Sequence, residues 1–134
     1  MSEVADEMKA RTMRFALDIC SLIKLLPASE PGPTVRRQLA KSATSVAFNY
    51  RASCRARSHT EFTAKTGLVA EEADETQGWL EFVAAAKLVA SSEVARLLAE
   101  ATELTRIISA SYGKARYNER NKRNNRSRGA GGDA

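Results

Sequence analysis

The chain has 134 residues, 43 % of them apolar and 28 % charged, with a formal net charge of +5; this is the size and balance of one globular domain with one core. No apolar run approaches the ~18 residues that a membrane span needs. The acidic opening Ser2-Glu3-Val4-Ala5-Asp6-Glu7 is unlike a secretory signal, so a cytoplasmic location without a membrane partner is expected.

Helix 1 is expected over about 6–26, stopped by Pro27. Two apolar stripes run along it. Met13, Ala16, Leu17, Cys20 and Ile23 form one; Phe15, Ile19, Leu22 and Leu26 form another on roughly the opposite side. Together they exceed the apolar stripe of an ordinary surface helix, a little over ~100° wide. Either this helix is sandwiched inside its own bundle, or its second stripe meets a neighbouring subunit. The subunit reading assigns a homo-oligomer interface to Phe15, Ile19, Leu22 and Leu26.

Pro27, Pro31, Gly32 and Pro33 mark the one obvious loop. Helix 2 is expected over about 34–57. Val35, Leu39, Ser42, Val46, Asn49, Ser53 and Ala56 alternate steps of four and three, the seam of left-handed bundle packing. The seam is small and polar, so Asn49 needs hydrogen-bond partners if buried.

Helix 3 is expected over about 59–90, opened by a capping box of Ser58 and Glu61. Phe62, Thr66, Val69, Ala73, Thr76, Leu80 and Val83 continue the stepping. Helix 4 is expected over about 92–117, capped by Ser91 or Ser92, with Val94, Leu97, Ala101, Leu104, Ile108 and Ser111 on its seam. Short links between long helices favour an all-α, antiparallel up-down-up-down four-helix bundle, placed over residues 1–113.

Residues 118–134 read as a disordered tail of Asn, Arg, Lys and Gly. From residue 114 on, Lys114, Arg116, Arg120, Lys122, Arg123, Arg126 and Arg128 stand against Glu119 and Asp133, which places the whole net +5 there. Such a segment is either a polyanion-binding arm or a solubilising tail.

Charges also segregate within the body. From Thr34 to Ser58 helix 2 carries Arg36, Arg37, Lys41, Arg51, Arg55 and Arg57 without an acid, and from Thr66 to Glu81 helix 3 carries Glu71, Glu72, Asp74, Glu75 and Glu81 without a base. These helices are expected to match charges, with Glu72 and Glu75 reaching Asn49, Arg51 or Arg55. Alternatively the stripe Arg37, Lys41, Arg51 and Arg55 serves phosphates.

Little points to catalysis. His59 is the lone histidine, and Cys20 and Cys54, expected to be reduced, form no CxxC pair. The carboxylates of helix 3 lack the Glu-x-x-His pairs of a di-metal bundle. Cys54 lies among arginines that would lower a thiol pKa, yet it lacks an evident catalytic partner. No metal, cofactor or enzymatic activity is expected.

Three pieces carry a family resemblance: Arg14-Phe15-Ala16-Leu17-Asp18; Gln38-Leu39 through Asn49-Tyr50-Arg51-Ala52; and Arg57-Ser58 with Glu61-Phe62, Lys65, Glu71 to Glu75 and Trp79-Leu80-Glu81. Over roughly residues 10–113 the chain resembles the bacterial four-helix-bundle family that includes the protein encoded in 23S ribosomal RNA intervening sequences. The resemblance implies the bundle. It also implies a ring-like homo-oligomer, since the related accessory variability protein of diversity-generating retroelements resembles a pentameric barrel working with a reverse transcriptase and RNA. Asn49, Tyr50, Arg51, Glu72 and Glu75 match the family motif and are read as a buried polar network. The resulting expectation is a non-catalytic, oligomeric scaffold for nucleic acid, RNA first, using Arg37, Lys41, Arg51, Arg55 and the seven basic residues from Lys114 to Arg128. The alternative is a protein-interaction module.

Overall fold

Serine side chains start three of the four helices. Ser2 Oγ accepts from the Ala5 amide at 3.1 Å, Ser58 Oγ from Glu61 at 3.1 Å, and Ser91 Oγ from Glu93 at 3.1 Å. Each satisfies one of the amides that a helix start leaves unbonded. The structure, a computed structural model, describes residues 2–131. Its elements are α1 (Glu3–Leu22), a 3-10 turn (Ile23–Leu25), α2 (Gly32–Ser53), α3 (His59–Ala85) and α4 (Ser92–Ala130), with no strand among the described residues.

The helices form an antiparallel four-helix bundle. Ser42 of α2 meets Thr76 of α3, and Asn49, further along α2, meets Glu72, further back along α3. In the same sense, Arg11 and Asp18 of α1 meet Glu100 and Arg96 of α4 in reverse order. The 3-4 stepping of all four seams is the packing pattern of such bundles. Val35, Leu39, Val46, Val69, Leu80, Val83, Leu97, Leu104 and Ile108 are buried at the centre. Ser111 is exposed, and Ala115 is buried in the next turn.

The interface assigned to α1 is corrected. Phe15, Ile19, Leu22 and Leu26 are 3 %, 0 %, 3 % and 5 % exposed within the single chain, so they line its own core and are not available to a second subunit. They continue an inward seam that starts at Met8 and Thr12. Thr12 tolerates full burial because its hydroxyl donates to the Met8 carbonyl at 2.9 Å. Of the other stripe, Leu17 is 62 % exposed, Met13 and Cys20 are half-buried, and Ala16 and Ile23 are buried.

Several ends differ from expectation. The α-helix of α1 stops at Leu22, and Arg36 of α2 donates from Nε to the Ile23 carbonyl and from Nη2 to the Leu26 carbonyl, both at 3.2 Å. A cation thus satisfies the carbonyls at a helix end that has no basic residue in its own last turn. α2 ends at Ser53, whose hydroxyl donates to the Tyr50 carbonyl at 2.6 Å. α3 ends at Ala85 because Lys87 adopts φ 54°, and the Leu88 amide bonds back to the Val83 carbonyl.

The tail is also corrected. α4 continues without a break through Gly113 to Ala130, so residues 118–130 are helical rather than disordered. No proline interrupts this stretch, and Glu119 pairs with Arg123 at i,i+4. Residues 132–134, also assigned to the disordered tail, lie outside the described residues. At ~1.5 Å per residue, α4 is about 58 Å long against about 40 Å for α3. It therefore overhangs the end of the bundle where α3 begins.

Two backbone positions predict stability changes. Gly78 is a mid-helix glycine where an added Cβ meets nothing within 4 Å, so Gly78→Ala should stabilise by about 1 kcal/mol. Lys87 holds a left-handed conformation that suits glycine, so Lys87→Gly should gain a similar amount, about 1 kcal/mol. For a domain of this size each should raise Tm by about 3–5 °C in thermal unfolding. A fall in Tm for either would contradict the assigned backbone.

A candidate nucleic-acid interface

The outer face of α2 is written by the same stepping as its inner face. Arg37, Lys41, Thr44, Phe48, Arg51 and Arg55 follow one another at intervals of four and three, and all but Thr44 are exposed. Arg37 donates to Thr34 at 3.4 Å. Among the described residues no carboxylate forms an ion pair with Arg37, Lys41, Arg51 or Arg55.

This corrects the expected charge match, because among the described residues no ion pair joins α2 to α3. Glu71, Asp74, Glu75 and Glu81 stand exposed on α3 instead. The inter-helix pairs lie between α1 and α4. Arg11 grips Glu100 with two bonds, Nε at 2.9 Å and Nη2 at 2.6 Å, and Arg96 reaches Asp18 at 3.2 Å while also holding Glu93. Arg36, counted with the basic face, is used as the cap of α1.

The polar network is smaller than expected and partly different. Asn49 Nδ2 donates to both carboxylate oxygens of Glu72, at 2.7 and 3.0 Å. Thr76 Oγ1 donates to Ser42 Oγ at 2.9 Å and lies 2.8 Å from the Glu72 carbonyl. Arg51 and Glu75 are corrected to exposed positions outside this cluster. Glu75 acts on it only through its charge. Tyr50 instead faces Cys54, and burial, then that neighbour, pushes its phenol up to about 12. The phenol is therefore neutral at ordinary pH. Among the described residues no buried side-chain nitrogen or oxygen lacks a partner, as a packed interior requires.

Around the α2–α3 turn the cations gather. Arg51, Arg55, Arg57 and Lys65 line a cleft of about 440 Å3 together with the exposed ring of Phe48. Its one carboxylate, Glu61, is engaged: it accepts from the Arg57 amide at 3.3 Å and stands 4.0 Å from Lys65 Nζ. Arg37 and Lys41 lie on the same stripe but ~15–21 Å further along the helix axis from Arg51.

The other side of α3's first turn carries the α4 extension. Lys122, Arg123 and Arg126 line a second hollow with Ser58, His59 and Thr60. His59 Nε2 lies 3.1 Å from the Ala115 carbonyl, so the histidine ties α3 to α4 rather than standing free in solvent. Gly67 lets α4 sit close, since a Cβ there would stand 2.8 Å from Tyr112 Cε1. The Tyr112 ring carries Arg116, whose guanidinium carbon is 5.6 Å from its centroid. Lys114, Arg116, Arg120 and Arg128 are exposed, and Arg123 spends part of its charge on Glu119 at 3.4 Å. The opposing carboxylates Glu3, Asp6 and Glu7 stand at the same end on α1.

The structure thus brings Arg51 and Arg55 together with Arg57 and Lys65, and sets Lys122, Arg123 and Arg126 across the same turn. Arg57, counted among the cations of helix 2 but not on its expected phosphate stripe, joins the cleft, and Lys65 and Phe48 are additions that the charges along helix 2 do not reach. A signal for Phe48 is present in the sequence: a large apolar residue in step with a basic stripe. Among the described residues no group of three or more His, Cys, Asp or Glu side chains is placed to hold a metal ion. Among them, too, no helix is long and apolar enough to cross a membrane.

Glu72 yields a pH prediction. Burial first, then Glu75 and Glu71, raise its pKa above the ordinary carboxylate range, and the Asn49 hydrogen bond opposes the rise. A carboxyl with a raised folded-state pKa binds its proton more tightly when folded. Its contribution to stability is therefore present below the ordinary value near 4.5 and is lost as pH rises through the folded value. Glu72→Gln, which keeps an oxygen for Asn49, should match or exceed the parent in stability at neutral pH. Its advantage should shrink as pH falls through that window in urea unfolding. A variant that is much less stable at neutral pH would contradict a strained carboxylate.

Comparison with known proteins agrees with the fold. A protein of unknown function from the S23 ribosomal protein family of Bacteroides thetaiotaomicron VPI-5482 superposes with a TM-score of 0.71 at 25 % identity, covering 78 % of this chain and 97 % of that one. Among curated proteins none matches the chain. The family model described as 23S rRNA-intervening sequence protein matches residues 6–110, and the chain belongs to that family.

Proposed function

We propose that this protein is a non-catalytic scaffold that binds nucleic acid, RNA first, through the basic end of its bundle. The observation that carries the reading is the set of cations around the α2–α3 turn: Arg51 and Arg55 have no carboxylate partner among the described residues, and the α4 extension places Lys122, Arg123 and Arg126 across the same turn. Exposed arginines and lysines at a common end suit a phosphate backbone, and neutralising phosphates releases counterions. In this reading copies of the chain assemble and present several basic ends to one RNA, which adds avidity without further surface on each copy. Phe15, Ile19, Leu22 and Leu26 have no part in the assembly. A pentameric ring and a reverse transcriptase partner follow from the family resemblance alone and belong to the same proposal.

A second reading, a protein-interaction module, is favoured by exposed apolar side chains on α1 and α3: Leu17 at 62 %, Leu68 at 45 % and Phe82 at 44 %. There the basic end is incidental.

Fluorescence anisotropy of a labelled RNA across a salt series separates the two. The logarithm of the binding constant should fall linearly with the logarithm of salt. Replacing Lys122, Arg123 and Arg126 with Gln should lower the slope by about 2–3, at ~0.7–0.9 for each phosphate no longer neutralised. Binding that ignores salt, or no binding at about 50 mM salt, would remove the nucleic-acid reading and leave the protein-interaction one.

A further inference from the structure

Phe48 is 59 % exposed and takes no part in the hydrophobic core. Its neighbours in the cleft are Arg51, Arg55, Arg57 and Lys65, with Glu61 occupied by its own bonds. An aromatic ring left open to water in a strongly cationic cleft fits a partner that is both anionic and flat-faced. A second copy of this chain offering the same surface would set these cations against each other, which disfavours a symmetric self-contact. A duplex satisfies the charge but hides its base faces in the stack. A single strand offers phosphates to the guanidinium groups and an unstacked base to the ring.

Resting on the nucleic-acid reading above, we infer that the cleft around Phe48 is a single-strand binding site in which one base stacks on the Phe48 ring while Arg51, Arg55, Arg57 and Lys65 hold the flanking phosphates. Phe48 and Arg51 lie one helical turn apart on the same face, so ring and guanidinium are presented together. The cleft, about 440 Å3, has room for a base with its sugar. Recognition of this kind tolerates any base, because every base has a π face. The α4 extension supplies charge beside the site without an exposed ring beyond Tyr117.

The test uses the full chain, a labelled single-stranded RNA of about 20 nucleotides and a hairpin duplex of similar length, read by anisotropy. Phe48→Ala should weaken single-strand binding about 5- to 150-fold while leaving duplex binding and the salt slope unchanged. Phe48→Tyr should restore single-strand binding. Helical circular dichroism checks folding, and light scattering checks that the mass of the particle is unchanged. Equal affinity of the parent for the two RNAs, or an unaltered single-strand affinity in Phe48→Ala, would overturn the stacking site while nucleic-acid binding stands. A change of mass in Phe48→Ala would overturn it by making Phe48 a contact between copies. Binding of neither RNA would remove both the site and the reading it rests on.

Discussion

Ser42 and Thr76 meet at 2.9 Å because neither α2 nor α3 carries a large side chain at that level, and further along the same seam Asn49 holds both oxygens of Glu72. Small residues let two helices approach, and hydrogen bonds then make one register better than its neighbours. A purely apolar seam of Val and Leu would allow α2 to slide or turn with little penalty. Here a shift of one residue would cost half-buried Asn49 its carboxylate partner and would part Ser42 from Thr76, whose hydroxyl would keep only the Glu72 carbonyl of its own helix. The register of α2 against α3 therefore depends on four side chains, and the orientation of everything else on α2 depends on that register.

The main consequence is electrostatic. With Val35, Leu39, Ser42, Val46 and Ser53 turned inward, the stepping forces Arg37, Lys41, Phe48 and Arg51 outward together, and the turn after α2 leaves Arg55 exposed beside them. Of the acids of α3, Glu72 turns to Asn49 as expected, but among the described residues none forms an ion pair with a cation of α2, so the opposite charges of the two helices do not cancel in pairs. Ion pairs are used between α1 and α4, where Arg11–Glu100 and Arg96–Asp18 tie the first helix to the last. The overhang of α4 then adds cations at the end where α3 begins, and the α2–α3 turn becomes a concentrated basic surface.

Much of this was legible locally. The cap at Ser58 and the 3-4 steps of α2, α3 and α4 need only near neighbours to be read, and the bundle follows from them, although the Glu61 carboxylate bonds the Arg57 amide rather than closing the expected box on Ser58. On α1 the reading failed because two apolar stripes compete and the inward one contains Thr12, whose polarity is silenced by a backbone bond that a sequence does not display. The charge match between α2 and α3 failed for a related reason. Adjacency in sequence says that two helices are neighbours, not that their charged flanks face each other. The end of α4 resembles a tail in composition, with Asn, Arg and Lys lacking apolar spacing, yet the chain has no proline there and continues a helix already nucleated by the bundle. Phe48 carries no charge, so a basic stripe defined by its cations alone passes over it.

The dependence on the α2–α3 register is tested most directly by a double-mutant cycle on Asn49→Ala and Glu72→Ala, measured by urea unfolding. A hydrogen-bonded pair that sets the register should show a coupling energy of about 1 kcal/mol or more between the two substitutions. Strict additivity, within about 0.3 kcal/mol, would mean that the pair fixes nothing and that the outward face of α2 owes its position to something else.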